Sequence, residues 1–149
     1  MSHTSTIKSL VIKDESALRA AITELQQKGV AVELRENVSP RMYYANQQAP
    51  CALVAYMKNG SYDVGFNLQK DGTYSMVMDP WSDHLSRHIG AACPLPSTKE
   101  GKELHAIGQL TQCYSKHAAI NAATADGFIV DSCELDEEGN IQLTLSDLS

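Results

Sequence analysis

An unbroken apolar run of strand length lies in the middle of the chain, at residues 51–57. Its sequence, Cys-Ala-Leu-Val-Ala-Tyr-Met, does not alternate between apolar and polar side chains, and the turn-forming residues Lys58, Asn59 and Gly60 follow it. Continuous apolar runs of this length are typical of strands that are covered on both faces. The run therefore predicts a central strand of a sheet.

A β-hairpin is predicted directly after this strand. Residues 62–68 and 73–78 have the composition of two strands, and Asp71-Gly72 between them has the positive-φ preference of a tight turn. Because side chains alternate across a strand, the larger apolar residues of both strands share one face, which we expect to be the core face. Asp63, Gly65 and Asn67 then lie on the opposite face.

The remaining elements suggest an α+β protein. A helix from Ala17 onward shows apolar residues at helical spacing and ends at Gly29, and residues 36–50 lack any sustained period. Further strands are predicted at 6–12, 30–34, 127–133 and 141–145, with helices at 81–89 and 100–125. We therefore expect one domain over residues 1–149, with a mainly antiparallel sheet and two main helices packed on one face.

The composition favours a cytoplasmic protein. No apolar stretch approaches the roughly 18 residues of a membrane-spanning helix, and the first residues lack the pattern of a secretory signal. The four cysteines, at positions 51, 93, 113 and 133, form no C-x-x-C pair. We expect four free thiols, no membrane association and no cofactor.

Charge is distributed unevenly along the chain. Residues 1–75 contain eight Lys or Arg and seven Asp or Glu, whereas residues 126–149 contain seven acids and no Lys or Arg. Nucleic-acid binding is disfavoured because it depends on basic residues, although Arg35, Arg41 and Lys58 could form a local basic patch. The acidic end, with Glu134, Asp136, Glu137 and Glu138 near its turn, is a candidate recognition surface for a basic or polar protein. A solubility role is the alternative.

Two pairs of side chains have the spacing of helical metal ligands. His84 and His88 are four residues apart, as are Cys113 and His117, so each pair would lie on one helix face. The His-x-x-x-His pattern lacks the glutamate of a metalloprotease, and Cys113 and His117 also lie in the apolar row of the long helix. We expect packing or hydrogen bonding for both pairs, and no metal.

A polar and aromatic set is the candidate ligand or partner site. Its members are Asp63, Asp79, Trp81, Gln112 and Tyr114. They could line a cleft between the 62–78 hairpin and the 100–125 helix, or they could satisfy one another's hydrogen bonds inside the fold. The sequence contains no nucleophile motif, no G-x-G-x-x-G fingerprint and no Walker loop. No residue is therefore assigned a catalytic role.

Several short segments resemble a known family. They are Met1 to Thr4, Tyr62 to Phe66, Asp71 to Tyr74, Asp79 with Trp81, Leu110 to Tyr114, and Gly139 to Leu143. In this order they resemble the hypothetical chloroplast reading frame thirty-five family, a domain of unknown function of plastids, cyanobacteria and their phages. That family has a basic residue where this chain has Cys113. The resemblance implies a cytoplasmic, stromal or phage-encoded protein and transfers no activity, cofactor or catalytic residue.

Two functions follow as hypotheses. The first is an accessory or regulatory protein that acts by binding another protein, which the acidic end and the missing catalytic motifs favour. The second is a small enzyme or ligand-binding domain that uses the polar cleft, which a deep pocket at Asp63, Asp79 and Gln112 would favour. The sequence leaves open whether the chain forms a homo-oligomer.

Overall fold

The computed structural model describes residues 5–42, 49–79, 83–92, 97–135 and 141–147. In chain order its elements are β1 (Ser5–Ile12), α1 (Glu15–Gln27), β2 (Val32–Val38), β3 (Cys51–Met57), β4 (Val64–Leu68), β5 (Tyr74–Met78), α2 (Ser86–Ile89), α3 (Lys99–Ala106), α4 (Gly108–Ala125), β6 (Phe128–Leu135) and β7 (Ile141–Asp147).

Five of the strands form one antiparallel sheet. Their order is β1-β5-β4-β3-β2, while β6 and β7 pair in a separate two-stranded sheet. The predicted α+β class and the 62–78 hairpin are confirmed, because Phe66 pairs with Met76 across β4 and β5. Strand β3 is hydrogen-bonded on both sides, as its apolar run predicted, and Leu53, Val54 and Ala55 are all buried.

The inner face of the sheet packs against the helices. Asp14 caps the start of helix α1, since its side chain accepts a hydrogen bond from the Ala17 backbone N–H, and the helix buries Leu18, Ile22 and Leu25. These side chains share a core with the inner-face residues of the sheet, such as Phe66. The amphipathic period of α1 therefore determines which side of the sheet becomes the core.

The helix predicted at 100–125 is wrong as a single element. Ile107 leaves the helical conformation, with φ −122° and ψ 25°, and separates α3 from α4. The Ala91 backbone N–H donates to the His105 carbonyl at 2.8 Å, and a Cβ on Gly108 would lie 2.4 Å from the Ala91 Cβ. The chain near Ala91 therefore packs into the break, where only glycine leaves enough room. Helix α2 is also shorter than the predicted 81–89 helix.

A short segment after β2 crosses the outer face of the sheet. This strap, residues 39–42, follows a strand that continues to Val38 rather than ending at the predicted residue 34. Pro40 of the strap is buried and packs on β4, since a Cβ on Gly65 would lie 2.9 Å from the Pro40 Cγ. The predicted loop at 36–50 is therefore partly a covering layer.

One buried carboxylate holds the strap in place. Asp63 is 1% exposed, and its Oδ2 accepts from the Arg41 backbone N–H at 2.9 Å and from Arg41 Nε at 3.0 Å. Its Oδ1 accepts from Arg41 Nη2 at 2.9 Å and from the Met57 backbone N–H at 3.0 Å. The carboxylate thus joins the strap to the end of β3, and it raises the pKa of Arg41.

We predict that Asp63→Asn destabilises the fold by about 3 kcal/mol, because it removes the charge that Arg41 faces and replaces an acceptor with a donor. Urea unfolding at pH 7, followed by far-ultraviolet circular dichroism, measures this change. The control is Asp83→Asn, since Asp83 forms an exposed ion pair with Arg87 that should contribute at most about 1 kcal/mol. Equal losses in the two variants would contradict the role assigned to Asp63.

Candidate functional site

The polar set predicted from the sequence is distributed over separate places. Asp63 holds the strap, Tyr114 lies under the start of α1, and Gln112 lines a pocket beside α1. Asp79 is buried at the end of β5, and Trp81 lies outside the described residues. The side chains of Asp63 and Tyr114 therefore form hydrogen bonds inside the fold. Gln112 lines a pocket other than the predicted cleft between the 62–78 hairpin and the 100–125 helix.

Tyr114 of α4 supports the connection between β1 and α1. Its hydroxyl oxygen accepts from the backbone N–H groups of Lys13 and Asp14, at 3.0 and 3.2 Å. Two turns further along α4, Asn121 Nδ2 donates to the Asp14 side chain at 3.0 Å. The two α4 residues thereby satisfy backbone and capping groups at the beginning of α1.

A charged cluster joins α1 to α4 at the other end of α1. Its centre is Glu24, whose carboxylate contacts Lys28 one turn along the same helix at 2.9 Å. From α4, Lys116 Nζ and His117 Nε2 both reach Oε1, the latter at 2.9 Å, and Cys113 Sγ donates to Oε2 at 3.2 Å. Four side chains therefore converge on one carboxylate.

The cluster shifts the pKa of two of its members. Burial raises the pKa of Glu24, but hydrogen bonds from Lys116, Lys28, Cys113 and His117 outweigh it and hold that pKa well below 4.5. Burial first, and then the bond to Glu24, raises the pKa of Cys113 to about 11. Cys113 is consequently a protonated thiol at neutral pH and is not prepared to act as a nucleophile.

A pocket of about 260 Å³ opens beside this cluster. It is lined by Glu24, Lys28, Gln112, Cys113, Lys116, Cys133 and Glu134, which belong to α1, α4 and β6. The pocket carries both signs of charge and two thiols. The predicted cleft was placed at the 62–78 hairpin, but no residue of that hairpin lines this pocket.

The sequence carried a partial signal for this cluster. Glu24 and Lys28 have the spacing of a helical ion pair, and Cys113, Lys116 and His117 have the spacing of one face of α4. Nothing in the sequence shows that these two faces meet, because the contact joins residues about ninety positions apart. Glu24, Lys28 and Lys116 were therefore missed, whereas Cys113 and His117 were expected to pack or to form hydrogen bonds without a named partner.

The two pairs considered for metal binding lie in different surroundings. The His84 ring stacks on Tyr62 at a centroid distance of 4.3 Å, and the His88 ring lies against Gly60. Cys113 and His117 contact Glu24 instead. In the part of the chain that the structure describes, no group of three or more His, Cys, Asp or Glu side chains could hold a metal ion.

The acidic candidates of the last hairpin are only partly described. Glu134 is exposed and lies at the rim of the pocket, whereas Asp136, Glu137 and Glu138 lie outside the described residues. Asp131 and Asp147 are exposed on β6 and β7. The described carboxylates of the hairpin therefore face solvent.

The fold and the Glu24 cluster define an α+β domain whose two longest helices are joined by a half-buried carboxylate. The sequence model of a family of proteins of unknown function, DUF1257, matches residues 24–144, so the chain belongs to this family. No curated protein and no solved structure matches the chain.

This result corrects the resemblance drawn from the sequence. The family that matches is DUF1257, and nothing in the comparisons points to the hypothetical chloroplast reading frame thirty-five family. The segments behind that resemblance are short, and Asp63 and Tyr114 within them make contacts that hold this fold together. The expectation of a plastid or phage source loses its basis.

We predict that Glu24→Gln lowers the free energy of unfolding by about 2 kcal/mol at pH 7 and by less at pH 3. Because the pKa of Glu24 is depressed in the folded protein, its carboxylate stabilises the fold fully above the unfolded value near 4.5. That contribution declines as the pH falls below this value. Urea unfolding of the wild type and the variant at both pH values measures the difference.

The control for this experiment is Glu36→Gln. Glu36 is an exposed carboxylate that pairs with Arg19, so its loss should cost at most about 1 kcal/mol at pH 7. A Glu24→Gln difference that is the same at pH 7 and pH 3 would show that the carboxylate charge does not stabilise the fold.

The expectation of four free thiols stays a prediction. Cys51, Cys113 and Cys133 are free in the structure, and Cys93 lies outside the described residues. Titration of the denatured chain without reductant should find four reactive groups. In the folded protein at pH 8, Cys113 should react with iodoacetamide much more slowly than a free cysteine, because burial and Glu24 disfavour its thiolate. Two reactive groups in the denatured chain would indicate a disulfide.

Proposed function

We propose that this protein is an accessory or regulatory protein that binds another protein through the ribbon formed by β6 and β7. The observation that carries this proposal is the separation of the ribbon from the five-stranded sheet, with apolar side chains left exposed on it. The ribbon is the acidic closing hairpin that the sequence marked as a recognition surface.

The apolar side chains of the ribbon support this role. Val130 pairs with Leu145 and Cys133 with Leu143, and because the register shifts between Val130 and Ser132, these four side chains share one face. Although β6 and β7 lie against α4, Leu145 remains 40% exposed, and Ile129 on the opposite face is 46% exposed. A two-stranded sheet is marginally stable unless one of its faces is well covered. A partner that covered these side chains would stabilise the ribbon.

The outer edges of the ribbon can pair with a strand of the proposed partner. Among the described residues, neither β6 nor β7 pairs with a further strand on its outer side. Such an edge presents backbone N–H and C=O groups that an extended segment can pair with. The partner we propose therefore contributes a strand whose apolar side chains meet those of the ribbon.

Charge indicates the composition of that strand. Residues 126–149 contain seven acids and no Lys or Arg, and Asp131, Glu134 and Asp147 are exposed. A segment with Lys or Arg beside its apolar residues would be attracted to this surface, which increases the association rate more than the affinity. We therefore propose a basic partner segment.

The compartment we propose for this interaction is the cytoplasm. The free thiols of Cys51, Cys113 and Cys133 support it, since disulfides persist mainly in oxidising compartments. No helix in the described ranges is long and apolar enough to cross a membrane.

Binding of a small polar ligand is a second candidate function. The pocket beside Glu24 favours it, because its lining includes Lys28, Lys116 and Glu134, which could hold a molecule with both charges. The pocket is slightly smaller than the roughly 300 Å³ at which typical ligand sites begin. Protein binding through the ribbon is therefore the leading proposal.

The ribbon is tested with the double variant Ile129→Ser/Leu145→Ser. Affinity purification from the native host should recover the partner with the wild type and lose it with this variant, since the exposed apolar side chains are removed. The matched control is Leu68→Ser, which removes an exposed leucine from β4 of the main sheet. Equal recovery with all three proteins, or no partner with the wild type, would contradict the proposal.

The charge of the ribbon is tested on the recovered partner. Replacing Glu134, Asp136, Glu137 and Glu138 with their amides should leave the fold intact, because each change removes a charge and keeps the size of the side chain. Association of the wild type should slow markedly between low and physiological salt, and the variant should lose most of that dependence. Equal salt dependence would leave these acids with a role in solubility only.

A further inference from the structure

Two arginine side chains stack on one tyrosine ring on the outer face of the sheet. The guanidinium carbon of Arg35 lies 3.5 Å from the centroid of the Tyr56 ring, and that of Arg41 lies 4.1 Å from it. Both distances are measured to the same ring centroid, so the distance between the two guanidinium carbons cannot exceed their sum. Like charges at this separation repel each other, so the arrangement requires anionic groups beside them, and Asp63 and Glu33 supply these in the free protein.

The strand register and the strap together produce this arrangement. Glu33 pairs with Tyr56 across β2 and β3, and Arg35 is the next outward-facing residue of β2. Arg41 comes from the strap, which returns across the same face. Residues from β2, β3 and the strap thus meet on the outer face of the sheet, opposite the face that the helices cover.

Arg41 is fixed before any ligand arrives. Its Nε and Nη2 bind the two oxygens of Asp63, and Nη2 also donates to the Met57 carbonyl at 2.6 Å. The side chain still remains 35% exposed. An arginine held in this way loses little conformational freedom on binding, which favours recognition of an oxyanion.

Arg35 has a weaker partner. Its Nε and Nη2 both contact a single oxygen, Glu33 Oε2, at 3.1 and 3.0 Å, and both side chains are nearly half exposed. Exposed ion pairs of this kind contribute little to stability. An oxyanion that offered two oxygens to the guanidinium could therefore replace Glu33.

We propose that Arg35, Arg41 and Tyr56 form a binding site for a small molecule that carries a phosphate or carboxylate group. Tyr56 holds both guanidinium planes by stacking, Arg41 supplies a fixed cation, and Arg35 moves from Glu33 to the ligand. The net charge of −6 and the acidic second half disfavour an extended polyanion such as duplex DNA. The site is independent of the ribbon proposed above.

The site is tested by titrating the wild-type protein with inorganic phosphate and, separately, with acetate, at constant ionic strength. Side-chain Nε–Hε signals of the arginines are followed by nuclear magnetic resonance. We expect saturable shifts of the Arg35 and Arg41 signals while the Arg19 signal stays unchanged. Tighter binding of phosphate identifies a phosphate site, and tighter binding of acetate identifies a carboxylate site.

Variants distinguish the site from general attraction of anions. Arg35→Gln should weaken binding about tenfold, because it removes charge-assisted hydrogen bonds. Glu33→Gln should tighten binding severalfold, since it removes the competing carboxylate. Arg19→Gln is the matched control, because Arg19 is equally exposed and also pairs with glutamates, and it should leave binding unchanged.

Three results would overturn the proposal. They are shifts that never saturate, equal weakening by Arg35→Gln and Arg19→Gln, and unchanged binding in Glu33→Gln. The hydrogen bonds that Arg35 forms among the described residues go to Glu33 and not to Asp63, so its variant is expected to fold, and the circular dichroism spectrum checks this. Arg35→Lys, which keeps the charge without the planar fork, should bind with intermediate affinity.

Discussion

The outer face of this protein depends on the buried carboxylate of Asp63. A buried charge is tolerated only when hydrogen bonds and an opposite charge compensate for the water it has lost, and here Arg41 and the Met57 backbone supply them. Satisfying this carboxylate requires the strap to cross the sheet. Pro40 then contacts β4 at Gly65, and Arg41 reaches Tyr56. The stacked arginines are thus a consequence of how one buried acid is neutralised.

Glu24 has a related role on the helix side of the sheet. It lies at the contact between α1 and α4, and it is less deeply buried than Asp63, with two lysines, a histidine and a thiol around it. The hydrogen bonds of the cluster depress the pKa of Glu24, whereas burial and then the bond to Glu24 raise the pKa of Cys113. The cluster therefore favours the charged form of the carboxylate and the neutral form of the thiol. This distribution suits a structural junction better than a catalytic cysteine.

The ribbon differs from both regions in how little of it is buried. The five-stranded sheet is covered by helices on one face and in part by the strap on the other, whereas β6 and β7 are covered mainly by α4. Side chains such as Ile129 and Leu145 consequently remain in contact with water. Exposed apolar groups on a free strand edge usually indicate an interaction surface. The Arg35 and Arg41 surface lies on the main sheet, so the two proposed binding surfaces use different elements.

Local sequence patterns determined the elements of this protein and their classes. The apolar run at 51–57, the Asp71-Gly72 turn and the periodic spacing of Leu18, Ile22 and Leu25 predicted β3, the hairpin and α1, because each depends on neighbours close in the sequence. The break at Ile107 was decided by Ala91, and the Glu24 and Asp63 clusters by residues far along the chain. Such contacts form only when separate elements pack against each other. A charged group that becomes buried must then form hydrogen bonds with the groups that the fold places beside it. The sequence therefore determined what each segment becomes, and the tertiary structure decided which charges meet.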